Sequence, residues 1–224
     1  MPVSIVASVA FLRIQDFARR SASEQARLRA QLDAVVAVTT AEIPPADRVV
    51  LEASDGVAIV LLGRPASALR LAKRSLSAAA AGLPLSAGLN HGALQLSGKK
   101  GAEAMTGDGI AVSASIAEFA APTRLLASRA FRDALADAVP GREVSLVPAG
   151  TFKDAGLRTH EVFAPEEKAV ARRQARYTAV AFILFVALIG GGIAARGSID
   201  GQKPFSAVMA KYPYFKALVQ RVSF

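Results

Sequence analysis

Val49-Val-Leu-Glu-Ala-Ser-Asp-Gly-Val-Ala-Ile-Val-Leu-Leu62 reads as a β-hairpin. Two apolar, β-branched runs, Val49–Ala53 and Val57–Leu62, flank Ser54-Asp55-Gly56. An Asp-Gly pair accepts the positive φ that a tight turn between antiparallel strands requires. On its N-terminal side, Pro44-Pro45 breaks the chain. Before that break, residues 21–38 start at Ser21 and carry Leu28, Leu32, Val35 and Val36 at helical spacing. Residues 3–12, Val-Ser-Ile-Val-Ala-Ser-Val-Ala-Phe-Leu, predict a strand. On the C-terminal side, Pro65 opens a helix through about Ala81 with Leu69, Ala72 and Leu76 on one face.

Further along, Leu83–Leu89 and Ala93–Leu96 read as two strands around an Asn90-His91-Gly92 turn. Gly98-Lys99-Lys100-Gly101 is a loop, and a helix runs from Asp108, as its cap, to Phe119. A strand at Thr123–Ala127, a helix at Arg129–Ala138 and strands at Glu143–Val147 and Thr159–Phe163 complete the domain. This order predicts one α+β domain, with an antiparallel-rich sheet, helices on one face and a ferredoxin-like βαββαβ core plus extensions.

A different physics governs the C-terminal quarter. Tyr177–Ala195 is nineteen residues without a charge, bracketed by Arg176 and Arg196. At about 1.5 Å per residue it matches a bilayer's hydrocarbon thickness of roughly 30 Å. It shows none of the polar face expected of a core helix. The reading is therefore a domain over 1–164, a basic juxtamembrane helix over 165–176, a membrane-spanning helix over 177–195 and an amphipathic tail over 196–224. Within twenty residues of the span, five Lys/Arg lie on the N-side (Arg158, Lys168, Arg172, Arg173, Arg176) and three on the C-side (Arg196, Lys203, Lys211). That bias predicts a cytoplasmic domain and an exoplasmic or periplasmic tail in a single-pass membrane protein, with no export signal at its start.

The net charge of +9 invites a nucleic-acid reading, which its distribution opposes. Residues 1–165 hold 18 Lys/Arg against 15 Asp/Glu, leaving the other +6 for the segments around and beyond the span. Arg172, Arg173, Arg176 and Arg196 are thus candidate lipid contacts rather than a duplex-binding stripe. The chain has no cysteine and two histidines, His91 and His160, which excludes disulfides and thiolate chemistry and argues against a metal cofactor. His91 is read as a turn or packing residue before a general base. The apolar positions of Phe205–Phe224 suggest a tail that engages a membrane face or a partner.

Four strings together resemble the catalytic domain of class III adenylate and guanylate cyclases. Val9-Ala-Phe-Leu-Arg-Ile-Gln-Asp-Phe17 is similar to the family's first strand, which ends in Asp-Ile/Leu-x-Gly-Phe. Ser54-Asp55-Gly56 is similar to its Gly-Asp hairpin. Gly88-Leu-Asn-His-Gly92 resembles its Gly-x-x-x-Gly strand pair, and Thr106-Gly-Asp-Gly-Ile-Ala-Val-Ser-Ala-Ser-Ile116 its Gly-Asp-x-Val-Asn helix start.

The resemblance implies two metal-holding aspartates, a Lys and an Asp that read the base, and an Asn and an Arg that stabilise the transition state across a dimer interface. In this sequence the first metal position is Arg13, and Asp55 is the remnant. The Lys position is Leu51, the Asp position Ala104, the Asn position Ala111 and the Arg position Ser115. A cation at a metal-ligand position repels Mg²⁺ and is suited to pair with Asp55. The expectation is a non-catalytic, membrane-anchored domain without a cofactor. It would act by binding, dimerising or scaffolding, as a homodimer or within a membrane-protein complex, with no nucleotide expected. The alternatives are a divergent cyclase or nucleotide-binding enzyme, and an accessory subunit held by its span and tail.

Overall fold

The computed structural model describes residues 3–79, 82–97, 104–154 and 156–166. The apolar stretch 177–195, its basic flanks with Arg172, Arg173, Arg176 and Arg196, the tail and the 98–101 loop lie outside these residues. Among the described residues no helix is long and apolar enough to cross a membrane.

Strand β1 (Val3–Ile14) leads into helix α1 (Ala22–Thr40), then β2 (Arg48–Ala53), β3 (Gly56–Leu61), α2 (Pro65–Ala78) and β4 (Leu85–Ser97). After these come β5 (Ala104–Thr106), α3 (Asp108–Phe119), β6 (Leu125–Ser128), α4 (Arg129–Ala138), β7 (Leu146–Lys153) and β8 (Thr159–Pro165). The sheet order is β2-β3-β1-β4-β6-β8-β7, with β5 paired to β4. Its first four strands have the arrangement of a ferredoxin-like βαββαβ unit, and the β4–β6 pair is parallel.

Alternation along β1 explains the layers. Ala10, Leu12 and Ile14 join one core with Leu28 and Leu32 of α1, Leu69 and Leu71 of α2, and Phe131 and Leu135 of α4. Ala7, Val9 and Phe11 point the other way and share a second core with Ala117 of α3. Helices therefore cover both faces, which corrects the one-face expectation. The run of helix α3 (Gly109, Val112, Ser113, Ile116 and Ala117 buried) was visible in the sequence, but which face it would take was not.

A second correction concerns Asn90-His91-Gly92. These residues make no turn: β4 runs unbroken, with Asn90, His91 and Gly92 opposite Val9, Ser8 and Ala7 of β1. From Ser86 to Gly92 the even side of β4 carries no large apolar residue, and that lets α3 settle on it. Ser86 Oγ donates to the Ala117 carbonyl at 2.7 Å, and Asn90 Nδ2 donates to the Gly109 carbonyl at 3.3 Å. Between them, a Cβ on Gly88 would lie 2.1 Å from the Ser113 oxygen and 2.6 Å from the Ala117 nitrogen.

Two smaller corrections concern ends of elements. The Glu143–Val147 strand begins instead as a 3-10 turn at Arg142–Ser145, with β7 starting at Leu146. Asp108 is not the cap of α3 but its first residue, after Gly107. Ser21 does cap α1, accepting from the Glu24 N–H at 3.4 Å.

Candidate functional site

The end of β1 and the tip of the β2–β3 hairpin meet at Arg13 and Asp55. Gly56 pairs with Arg13 in register, and the Ile14 N–H donates to the Asp55 carbonyl at 2.8 Å. Arg29 reaches from α1 and donates to the carbonyls of Ser54 at 2.5 Å and Gly56 at 3.0 Å. The hairpin tip is thus held by backbone and by a helix before any ion pair is counted.

Onto this frame Arg13 adds a forked contact. Its Nη2 lies 2.8 Å from Asp55 Oδ2 and its Nη1 3.2 Å from Glu118 Oε2 in the last turn of α3. Arg13 and Asp55 are each 24% exposed, so this pair is shielded more than a surface bridge. Both carboxylates at this corner, Asp55 and Glu118, face the Arg13 guanidinium, a cation that opposes a divalent ion beside them. Among the described residues no group of three or more His, Cys, Asp or Glu could hold a metal.

Asp16 stands at the glycine of the resembled motif and adopts φ 55, a left-handed conformation that Asn and Asp tolerate better than most residues. Gln15 ties the same corner to α3, donating to the carbonyls of Ala117 and Ala120 at 3.1 Å each.

Of the other resembled positions, Leu51, Ala111 and Ser115 fall on the α3 side of the sheet. Leu51 of β2 packs partly buried against the same core as Ile110 and Ala114 of α3. Ala111 is exposed on α3, and Ser115, one turn on, donates its hydroxyl back to the Ala111 carbonyl at 3.1 Å. Ala104 opens β5 opposite Ser97. Leu51, Ala104 and Ala111 carry no polar side-chain group, and the Ser115 hydroxyl is spent on its own helix.

Sequence reasoning missed a second cluster. A cleft of about 440 Å³ is lined by both histidines together with Asn90, Asp108, Ser128 and Arg129. His91 Nδ1 lies 3.0 Å from Ser8 Oγ, and burial pushes the imidazole pKa down, favouring the neutral ring. Ser128 donates to Asn90 Oδ1 at 2.6 Å and accepts from the Phe131 N–H at 3.0 Å, so it joins β4 to the start of α4.

Across the cleft, His160 Nε2 donates to Asp154 Oδ2 at 2.9 Å. Its ring stacks on Phe152, which stacks on Phe119. Arg158 Nε donates to Asp154 at 2.8 Å, and Arg158 Nη1 bridges to Asp108 at 3.2 Å. No spacing rule links these residues. They meet because the β7–β8 hairpin sets Lys153 opposite Thr159.

The hydrogen bond from His160, helped by Arg158 and opposed by burial, holds the Asp154 carboxyl well below the usual carboxylate range. A depressed folded-state value means that this stability is complete above the unfolded value, near 3.8, and is lost as pH falls below it. Asp154→Asn is therefore expected to lower the thermal midpoint at pH 6 and to flatten its decline between about pH 5 and pH 3. Parallel acid limbs for the two proteins in a pH series of melting curves would contradict this assignment.

Comparison with solved structures identifies the class of fold. The adenylyl cyclase CyaB from P. aeruginosa matches at TM-score 0.55 and 12% identity, over 75% of this chain and 96% of that one. Adenylate cyclases from Trypanosoma brucei match at TM-score 0.59 and 12% identity, over 74% and 90%. An adenylate/guanylate cyclase/hydrolase from Silicibacter pomeroyi matches at 0.57 and 15%, over 74% and 98%. The domain has the fold of a class III nucleotide-cyclase catalytic domain. No family model matches the sequence, and no curated protein matches it either.

Proposed function

We propose that this protein is a non-catalytic, membrane-anchored cyclase-like domain that works as a binding, dimerisation or scaffold subunit. The observation that carries the reading is the Arg13 fork: a guanidinium bridges Asp55 and Glu118 at the corner where the resembled family holds its metals. Leu51, Ala104, Ala111 and Ser115 carry none of the charges for the other half of such a site, and the one hydroxyl among them is bonded within α3. The domain would stay cytoplasmic, fixed by the 177–195 span, with Arg172, Arg173, Arg176 and Arg196 at the lipid headgroups. Its partner surface would include the outer side of β2, an edge strand where Val50 is 43% exposed.

The similarity in fold to cyclases favours the competing reading of a divergent cyclase, and one assay separates the two. Full-length protein incubated with ATP or GTP and Mn²⁺ is expected to form no cyclic nucleotide above a no-enzyme blank. Its melting temperature is expected to be unmoved by either nucleotide with Mn²⁺. Cyclic product that disappears in Asp55→Ala would overturn the non-catalytic reading.

A further inference from the structure

A cleft of about 620 Å³ opens between α2 and the turn that joins α4 to β7. Arg70 and Lys73 line it from the helix, Arg142 and Ser145 from the turn, and Leu69 and Val139 supply apolar surface. Among the described residues no carboxylate lines it; Glu143 and Glu166, the acids closest in sequence to the turn and the last strand, are not among its walls. The cations come from a helix that carries Arg70, Lys73 and Arg74 and no acid. Arg74 is neutralised by Glu42 at 2.5 Å, whereas Arg70 donates to the uncharged Ser67 hydroxyl at 3.3 Å. Neither Arg70 nor Arg142 forms an ion pair among the described residues.

The location of the cleft matters as much as its charge. Leu146 pairs with Pro165, and the Glu166 N–H donates to the carbonyl of Ser145, itself a lining residue, at 2.8 Å. Glu166, the last described residue, thus lies at the rim of the cleft. Ten residues, 167–176, then separate Glu166 from Tyr177. Fully extended, ten residues reach at most about 35 Å, which bounds how far an anchored chain could hold Glu166 from the start of its span.

We propose that the cleft binds the headgroup of an anionic phospholipid, with Arg70 and Arg142 contacting the phosphate and Leu69 and Val139 facing its glycerol end. The proposal rests on the membrane-anchored reading above. A lipid is favoured over a free phosphate ligand because the cleft lies beside Glu166, which ten residues separate from the apolar stretch in the sequence. A cation near an anionic surface strengthens attachment by about fivefold, so neutralising two is worth about thirtyfold.

The test uses the full chain with phosphatidylcholine vesicles, with or without phosphatidylglycerol. Hydrogen exchange is followed at 66–73 and 139–145. Slower exchange is expected with phosphatidylglycerol, lost in Arg70→Gln/Arg142→Gln and in high salt. Equal exchange on the two vesicle types would overturn the proposal. So would equal protection by inorganic phosphate on phosphatidylcholine vesicles, which would make the cleft a free-phosphate site. Retention through an alkaline wash reports the anchor separately. A chain washed off both vesicle types refutes the span, while the exchange comparison still decides the headgroup contact.

Discussion

Gly88→Ala is expected to destabilise the domain by about 3 kcal/mol or more, lowering the thermal midpoint by roughly 6–12 °C. The sign is the informative part. Inside a strand, alanine is by itself better than glycine by about 0.5–1 kcal/mol, because it has less conformational freedom to lose. Here the new methyl would sit 2.1 Å from the Ser113 oxygen and 2.6 Å from the Ala117 nitrogen, both backbone atoms of α3. No rotamer change relieves that clash, so the helix must lift from β4. Lifting it breaks the bonds from Ser86, Gln15 and Asn90 to α3 carbonyls and strains the Arg13–Glu118 contact. Gly63→Ala is the control, since a Cβ there has nothing within 4 Å. A Gly88→Ala protein that melts with the wild type would mean that α3 does not lie on β4 as described.

Phe131→Ala is expected to cost about 3–5 kcal/mol on the opposite face. The ring is 0% exposed and sits in the core shared by β1, β4, β6 and the three helices of that side. Its backbone N–H is the group that Ser128 caps, so the side chain packs where α4 begins. The void would lie under β6, a four-residue strand with little else to hold it. Phe131→Leu is expected to recover more than half of the loss. Denaturant titration of the two variants gives the difference, and equal midpoints for Ala and wild type would remove this residue from the core.

The parts of the fold that were legible in the sequence are those whose signal is local. The hairpin around Asp55, the Ser21 cap and the helices opening at Pro65 and Arg129 all follow from turn chemistry, capping and periodicity within one element. The misread β4 shows the limit. Asn90-His91-Gly92 has turn composition, and what keeps it extended is pairing with β1 more than eighty residues earlier. The placement of α3 was hidden for the same reason, since the notch that receives it is made by Gly88 on a different element.

At the candidate site, the Arg13–Asp55 contact was readable because both residues sit in strings with a recognisable order. Glu118, the second acceptor of the fork, had no such signal. Asp154 and His160 were invisible as a pair because only the hairpin brings them together.

The sheet has a narrow waist. β4 and β6 share three registered positions, Ala87 to Leu89 with Leu125 to Ala127, and β6 and β8 share two. By contrast β1 and β4 are paired along twelve. Backbone pairing is thus dense in the strands up to β4 and sparse where β6, β8 and β7 attach. Sub-global opening follows such sparse joints, with the less connected part detaching at lower free energy while the rest stays closed. The histidine-lined cleft straddles this joint, with His91 on the dense side and His160 on the sparse side. Its width therefore tracks the breathing of the waist, and any molecule that spans it would act as a staple between two parts of unequal stability.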